Sequence, residues 1–184
     1  FVRSHIFEPL GLEPRDIDFA IIDPAIQAKG YLAAFSFLNV LKGFLLDRRA
    51  WGEYEGAWLR IREVYPDGPA FGGAVGSTAA FSVILRDLLR EESVLLSKAS
   101  KAVLFEQARL RSGRPIAMTP GWHIGGIEGR RYFFKEGGGA GFHCEMRMYP
   151  DQGLASVLMA NRTSLDTNRL LSRLDREFIA AGPG

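Results

Sequence analysis

A lysine followed by a run of glycines, at residues 135–142, constrains this chain more than any other segment. The flanking residues are typical of β-strands, with 131–134 leading in and 142–149 leading out. Glycines allow a ligand to approach the backbone closely and leave N–H groups free to bind an anion. The same residues could form a glycine-rich hairpin turn beside a solvated lysine, so this segment alone leaves both interpretations open.

The rest of the chain predicts helices first and strands afterwards. Apolar stripes at helical spacing predict one helix after Ser77 or Thr78, a second after Ser97 that runs to about Leu110, and a last one from about residue 165. Between the second and the last helix we expect four short strands, at residues 121–128, 130–135, 142–149 and 153–161.

This order of elements predicts an α+β fold, in which an antiparallel sheet meander is packed by helices. Ser164 or Asp166 is the expected cap of the last helix. We see no internal repeat, and we treat residues 1–184 as a single domain.

Composition argues against several classes of function. The 23 basic and 21 acidic residues nearly balance, and no basic cluster with interleaved aromatic residues occurs, so nucleic acid is not an expected partner. Cys144 is the single cysteine, which rules out an internal disulfide. The three histidines lack metal-ligand spacing, so we expect no metal and no cofactor, and we interpret His143 as an ordinary strand side chain.

Residues 31–46 form the most apolar stretch of the chain. Asn39, Lys42 and Gly43 interrupt it, and it is short for a membrane span, so a membrane partner is not expected. We predict instead a helix that is buried, covered by a partner or placed beside a substrate pocket.

Several motifs occur along the chain in a defined order. They are Pro-Leu-Gly-Leu at residues 9–12, Gly-Gly-Ala-Val-Gly-Ser-Thr-Ala at 72–79, Lys-Glu-Gly at 135–137, Gly-Phe at 141–142, Tyr-Pro-Asp-Gln-Gly-Leu at 149–154 and Leu-Met-Ala-Asn at 158–161. Together they resemble the class C β-lactamase-like serine hydrolases, which include β-lactamases, penicillin-binding proteins and esterases. The resemblance extends from residue 1 to about residue 178 and implies a β-lactamase/transpeptidase-like fold.

The resemblance also implies acyl transfer through a serine ester on a small ester, amide or β-lactam substrate. Lys135 would be the catalytic cation, and the backbone N–H of Gly138 would be one oxyanion donor.

By the same resemblance, the substrate-binding residues would be Glu136, Gly137, Gly139 and Arg169. Glu136 stands where the family usually has threonine or serine, and its charge would repel a substrate carboxylate unless it is protonated or points away. We therefore favour an esterase-like hydrolase over a true β-lactamase.

The nucleophile motif Ser-x-x-Lys and the Tyr-x-Asn motif do not occur in these residues. Residue 1 is a phenylalanine within a helical pattern, so we expect the chain to be the C-terminal portion of such a domain, inactive on its own. The alternative is a non-catalytic fragment or degenerate relative that acts as a binding module. In either case the 153–161 strand should form an open sheet edge, available to the N-terminal polypeptide or to a second copy.

Overall fold

The computed structural model of this chain describes residues 1–62, 72–163 and 165–181. Within these ranges the helices are α1 (Phe37–Leu45), α2 (Thr78–Leu89), α3 (Lys98–Phe105) and α4 (Thr167–Ala181). The strands are β1 (Ile17–Asp18), β2 (Gly30–Ala33), β3 (Trp51–Glu55), β4 (Trp58–Ile61), β5 (Val75–Gly76), β6 (His123–Ile127), β7 (Arg130–Gly139), β8 (Phe142–Tyr149) and β9 (Leu154–Ala160).

The main sheet has the order β6-β7-β8-β9, and every neighbouring pair is antiparallel. The predicted α+β class and the predicted meander are both confirmed. The largest difference in a strand boundary is at β7, which continues through the glycines to Gly139 instead of ending near residue 135. The hairpin turn is formed by Ala140 and Gly141, both of which have positive φ angles.

One face of the main sheet packs against α2 and α3. Leu85 and Leu88 of α2 form a buried cluster with Trp122, Phe133 and Met148. The apolar stripe that predicted α2 therefore points into the core, and Ser77 caps the helix by accepting the N–H of Ala80.

The opposite face packs against α4 through a buried network of charged groups. The Arg147 guanidinium lies 2.6 Å from Glu145 Oε1 and 3.2 Å from Asp175 Oδ2. The Tyr149 hydroxyl donates to the same Asp175 oxygen at 2.6 Å. A buried charge needs paired partners, and this network supplies them at the centre of the sheet.

A smaller sheet, with the order β2-β4-β3, lies beside the β7–β8 turn. The Tyr31 N–H donates to the carbonyls of Gly141 at 3.1 Å and Asn161 at 3.0 Å, and the Thr163 N–H donates to the Tyr31 carbonyl at 3.0 Å. These main-chain bonds attach β2 to the turn of the main sheet.

The prediction of one helix over residues 31–46 is wrong in its first part. Pairing with β4 makes residues 30–33 a strand, and α1 begins only after Ser36, whose hydroxyl accepts the Asn39 N–H. The helix is also not buried, because Phe37, Val40 and Phe44 are exposed while Asn39 faces inward.

The other helix boundaries differ less from expectation. Ser97 caps α3 as predicted, but α3 ends at Phe105 instead of running to about Leu110. The Asp166 carboxylate accepts the N–H of Arg169 at 2.9 Å at the start of α4, whereas Ser164 lies outside the described residues. In the ranges described, no helix is long and apolar enough to cross a bilayer.

Candidate functional site

The glycine-rich part of β7 extends past the end of its neighbour β6. Pairing between these strands ends at His123, which lies opposite Phe134. From residue 135 to 139, β7 pairs on one side only, with β8. One edge of this segment is therefore not paired with any strand that the structure describes.

The pattern of hydrogen bonds between β6 and β7 shows which main-chain groups of β7 face the open edge. Ile124 donates its N–H to the Ala117 carbonyl at 2.9 Å, away from β7. His123 and Phe134 therefore form a hydrogen-bonded pair, because residues of an antiparallel ladder bond alternately to one side and to the other. Every second residue of β7 after Phe134 then directs its N–H and C=O away from β8.

Those residues are Glu136 and Gly138. The turn end of the hairpin gives the same assignment, since Gly139 and Phe142 are opposed across a two-residue turn and bond to each other. Gly138 is exposed and has no side chain, so a small molecule at this edge can reach its N–H directly.

Lys135 is exposed on the face of the sheet that carries α2. It lies directly opposite Met146, which packs against the core cluster of that face. Among the described residues Lys135 forms no ion pair, so its ammonium is available to an anion near the strand.

Glu136 lies on the other face, and its carboxylate is held by a histidine. His143 Nε2 lies 2.6 Å from Glu136 Oε1, and the imidazole is mostly buried. A side chain at Gly138 would meet the same ring, because an added Cβ would lie 3.2 Å from His143 Cδ2. The Glu136 carboxylate thus points away from the Lys135 face, one of the two conditions under which a substrate carboxylate is not repelled.

No functional role was predicted for His143, which was interpreted as an ordinary strand side chain. The contact between His143 and Glu136 could have been predicted from the register of the hairpin. That register places His143 opposite Gly138 and diagonally across from Glu136. Histidine on one strand and glutamate two positions along on the next are within reach of each other.

Gly137 and Gly139 complete the exposed segment. An added Cβ at Gly137 would touch only Cys144 Sγ, at 3.5 Å, and one at Gly139 would meet nothing within 4 Å. Burial raises the pKa of the Cys144 thiol, and its Sγ lies 3.4 Å from the Gly137 carbonyl, so this cysteine is an unreactive neighbour.

Arg169 is the one predicted site residue that is not part of this strand. It lies exposed in the first turn of α4, on the face of the sheet opposite to Lys135. Its side chain makes no hydrogen bond or ion pair with β7 in the described parts of the chain. The structure brings together Lys135 and residues 136–139 but does not link Arg169 to them.

A second polar group lies where α1 meets β3, near the turn. Lys42 Nζ contacts Asn39 Oδ1 at 2.5 Å and the Tyr54 hydroxyl at 3.3 Å. Hydrogen bonds from Asn39 and Lys42 lower the pKa of Tyr54. The Lys42 ammonium also lies 5.0 Å from the centroid of a Trp51 ring, so it is occupied in fixing α1 to β3.

Comparisons with known proteins place the fold. No protein-family profile and no curated protein matches this sequence. Among solved structures, the octameric penicillin-binding protein homologue from Pyrococcus abyssi is similar, with a TM-score of 0.72 and 15% sequence identity. The similarity covers 97% of this chain, which spans only 37% of that protein. At this identity the likeness concerns the fold, and this chain has the fold of part of a penicillin-binding protein homologue.

Proposed function

We propose that this chain supplies the Lys-x-Gly strand and one oxyanion donor of a β-lactamase-related serine hydrolase. The reaction would be acyl transfer through a serine ester on a small ester or amide substrate. The fold shared with a penicillin-binding protein homologue supports this proposal at the level of architecture.

The observation that carries the proposal is the open edge of β7 beside an exposed lysine. The Gly138 N–H faces that edge, where it can donate to the oxyanion of a tetrahedral intermediate. Lys135 precedes it by three residues and adds a positive charge that favours the same anionic state. Glu136 is engaged by His143 and so does not oppose this charge from the same face.

The nucleophile belongs to chain outside these 184 residues under this proposal, because they contain neither Ser-x-x-Lys nor Tyr-x-Asn. The 184 residues alone are then inactive, and activity requires a segment that brings the serine to the open edge of β7.

The test is hydrolysis of a nitrophenyl ester by a protein in which these residues are joined to a segment bearing Ser-x-x-Lys. We expect Lys135→Ala to lower kcat/KM about 100-fold, in the range found when one electrostatic contact to an oxyanion is removed. The control is Lys98→Ala, which removes an exposed lysine of α3 whose ion pair with Glu91 lies at the surface. Equal activity in the two variants would contradict the role of Lys135.

A second candidate function is binding of another polypeptide at the edge of the main sheet. Among the described strands, β9 pairs only with β8, and Met159 is partly exposed there. An unpaired edge can accept an added strand. Native mass spectrometry of the purified chain tests this candidate, since a monomer without any companion polypeptide would exclude it.

A further inference from the structure

A small cavity lies between the turn end of the glycine strand and helix α1. Its volume is about 180 Å³, and backbone atoms of residues 139–141 form one of its walls. The opposite walls are apolar and are formed by Leu32, Leu38, Leu45, Leu46 and Ile61.

The polar side chains that line this cavity already have partners inside the protein. Lys42 Nζ is bonded to Asn39 and Tyr54, so the lysine presents its aliphatic stem. Thr163 Oγ1 accepts the N–H of Gly141 at 3.1 Å. A water molecule needs two to four polar partners to be held in a cavity, and these walls offer few.

The size and the apolar walls of the cavity indicate which chemical groups it can bind. A volume of about 150 Å³ is enough for a benzene molecule, so this cavity, which is partly open to solvent, has room for an apolar group of that size. A cation would lose its hydration here without gaining a counter-ion, because the charged side chain that lines the cavity, Lys42, is itself a cation.

The cavity adjoins the proposed oxyanion donor. Gly139 lines the cavity and directly follows Gly138, so their Cα atoms are about 3.8 Å apart. The space where a Gly139 side chain would project is empty. The proposed oxyanion donor and the cavity are therefore neighbours along the strand, and no side chain at residue 139 separates them.

We infer that this cavity binds the apolar part of the substrate, a short aliphatic or aromatic group of an ester. The inference rests on the proposed function, because the bound ester is a substrate only if the protein is a hydrolase. Binding of the apolar group itself does not require catalysis. It makes the leucines of α1 and the neighbouring strands the residues that set the preferred chain length.

The test uses the 184-residue chain and three neutral probes: methyl acetate, methyl butanoate and methyl hexanoate. Chemical shifts of leucine methyl groups and of the Gly139 amide are followed by NMR during titration. We expect shifts at Leu32, Leu38 and Leu46, with affinity rising about fourfold for each methylene that enters the cavity. Affinity that does not rise with chain length, or shifts confined to other leucines, would overturn the inference.

Two neighbouring positions of α1 provide matched variants. Leu45 lines the cavity and is 58% exposed, whereas Phe44 is 89% exposed and does not line it. Leu45→Asp places a charge at the cavity and should weaken methyl hexanoate binding at least tenfold, while Phe44→Asp should leave it unchanged. Equal weakening by both changes would mean adsorption to the exposed face of α1. Leu45→Trp, which fills the cavity without adding charge, should also reduce binding.

These outcomes separate the inference from the proposed function. If binding depends on chain length but the joined protein does not hydrolyse esters, the inference about the cavity is supported and the proposed hydrolase function is contradicted. If the joined protein hydrolyses esters with a KM that does not depend on acyl or alkyl chain length, the proposed hydrolase function is supported and the inference about the cavity is contradicted.

Discussion

The two ends of the β7–β8 hairpin are built in opposite ways. At one end Phe133, Arg147, Met148 and Tyr149 are at most 1% exposed and lie between α2 on one face and α4 on the other. At the other end residues 135–139 are exposed, and three of them are glycines. The same antiparallel ladder runs through both ends without a break in register.

The packed end of the hairpin stabilises the fold, and the glycine end leaves its backbone accessible to a ligand. The packed end supplies apolar burial and a paired charge network, which hold the two strands in register. The glycine end has little side-chain packing of its own, and the ladder from the packed end keeps it in place. Backbone groups can therefore stay exposed at a fixed position, as an oxyanion donor requires.

The largest expected effect comes from the charge network of the packed end. Arg147→Met leaves the carboxylates of Glu145 and Asp175 buried without their cation, so the free energy of unfolding should fall by about 3–5 kcal/mol. Urea denaturation measures this, with Arg173→Met on the exposed side of α4 as the control. A loss below about 1 kcal/mol would mean that the network is not what stabilises this end.

The next effect concerns the turn glycine. Gly141 has a φ of +87°, and an added Cβ would lie 2.5 Å from backbone atoms of Gly30 and Tyr31. Gly141→Ala should therefore cost about 2–4 kcal/mol, from backbone strain and from displacement of β2. Gly137→Ala is the matched control, because its Cβ meets only Cys144 Sγ at 3.5 Å. If both variants lost the same free energy of unfolding, Gly141 would be no more important to the fold than Gly137.

A smaller effect depends on pH. Burial and the hydrogen bond to Asp175 raise the pKa of Tyr149 well above its usual range. The folded tyrosine keeps its proton where the unfolded one, with a pKa of about 10, has lost it, so this contribution is complete below pH 10 and declines above it.

Tyr149→Phe should cost about 1–3 kcal/mol at neutral pH, because Asp175 loses a buried donor. Urea midpoints of the two proteins between pH 8 and about pH 11 should converge above about pH 10. A constant difference across that range would contradict this account of Tyr149.

The smallest expected effect is on the stability of the glycine end. Lys135→Ala should change the free energy of unfolding by less than about 0.5 kcal/mol, because the side chain is exposed and forms no ion pair with the described residues. The same variant is expected to lose hydrolysis in the joined protein. Strong destabilisation would instead show that Lys135 has a structural role.

Local signals predicted much of this architecture. The helix starts after Ser77 and Ser97 were predicted correctly, because capping involves residues only three positions apart. The order of the four strands was also predicted, from short runs separated by tight turns. These features need no information from distant parts of the chain.

The errors occurred where distant contacts outweigh local preference. Residues 30–33 belong to an apolar run that suggested helix, but hydrogen bonds to β4, nearly thirty residues away, make them a strand. The glycines suggested that β7 would end near residue 135, and pairing with β8 extends it to Gly139. Helix α3 ends at Phe105, and the chain beyond it pairs instead, with Ala108 accepting the N–H of Ile116.

The sequence by itself determined the α+β order of elements, the caps of α2 and α3 and the glycine segment that follows Lys135, because each depends on residues close together along the chain. The tertiary structure decided which main-chain groups of that segment face an open edge, that Glu136 pairs with His143, and that apolar side chains of three elements line a cavity beside it. These depend on the register of strands and on the end of β6, which are set by packing between residues far apart in sequence.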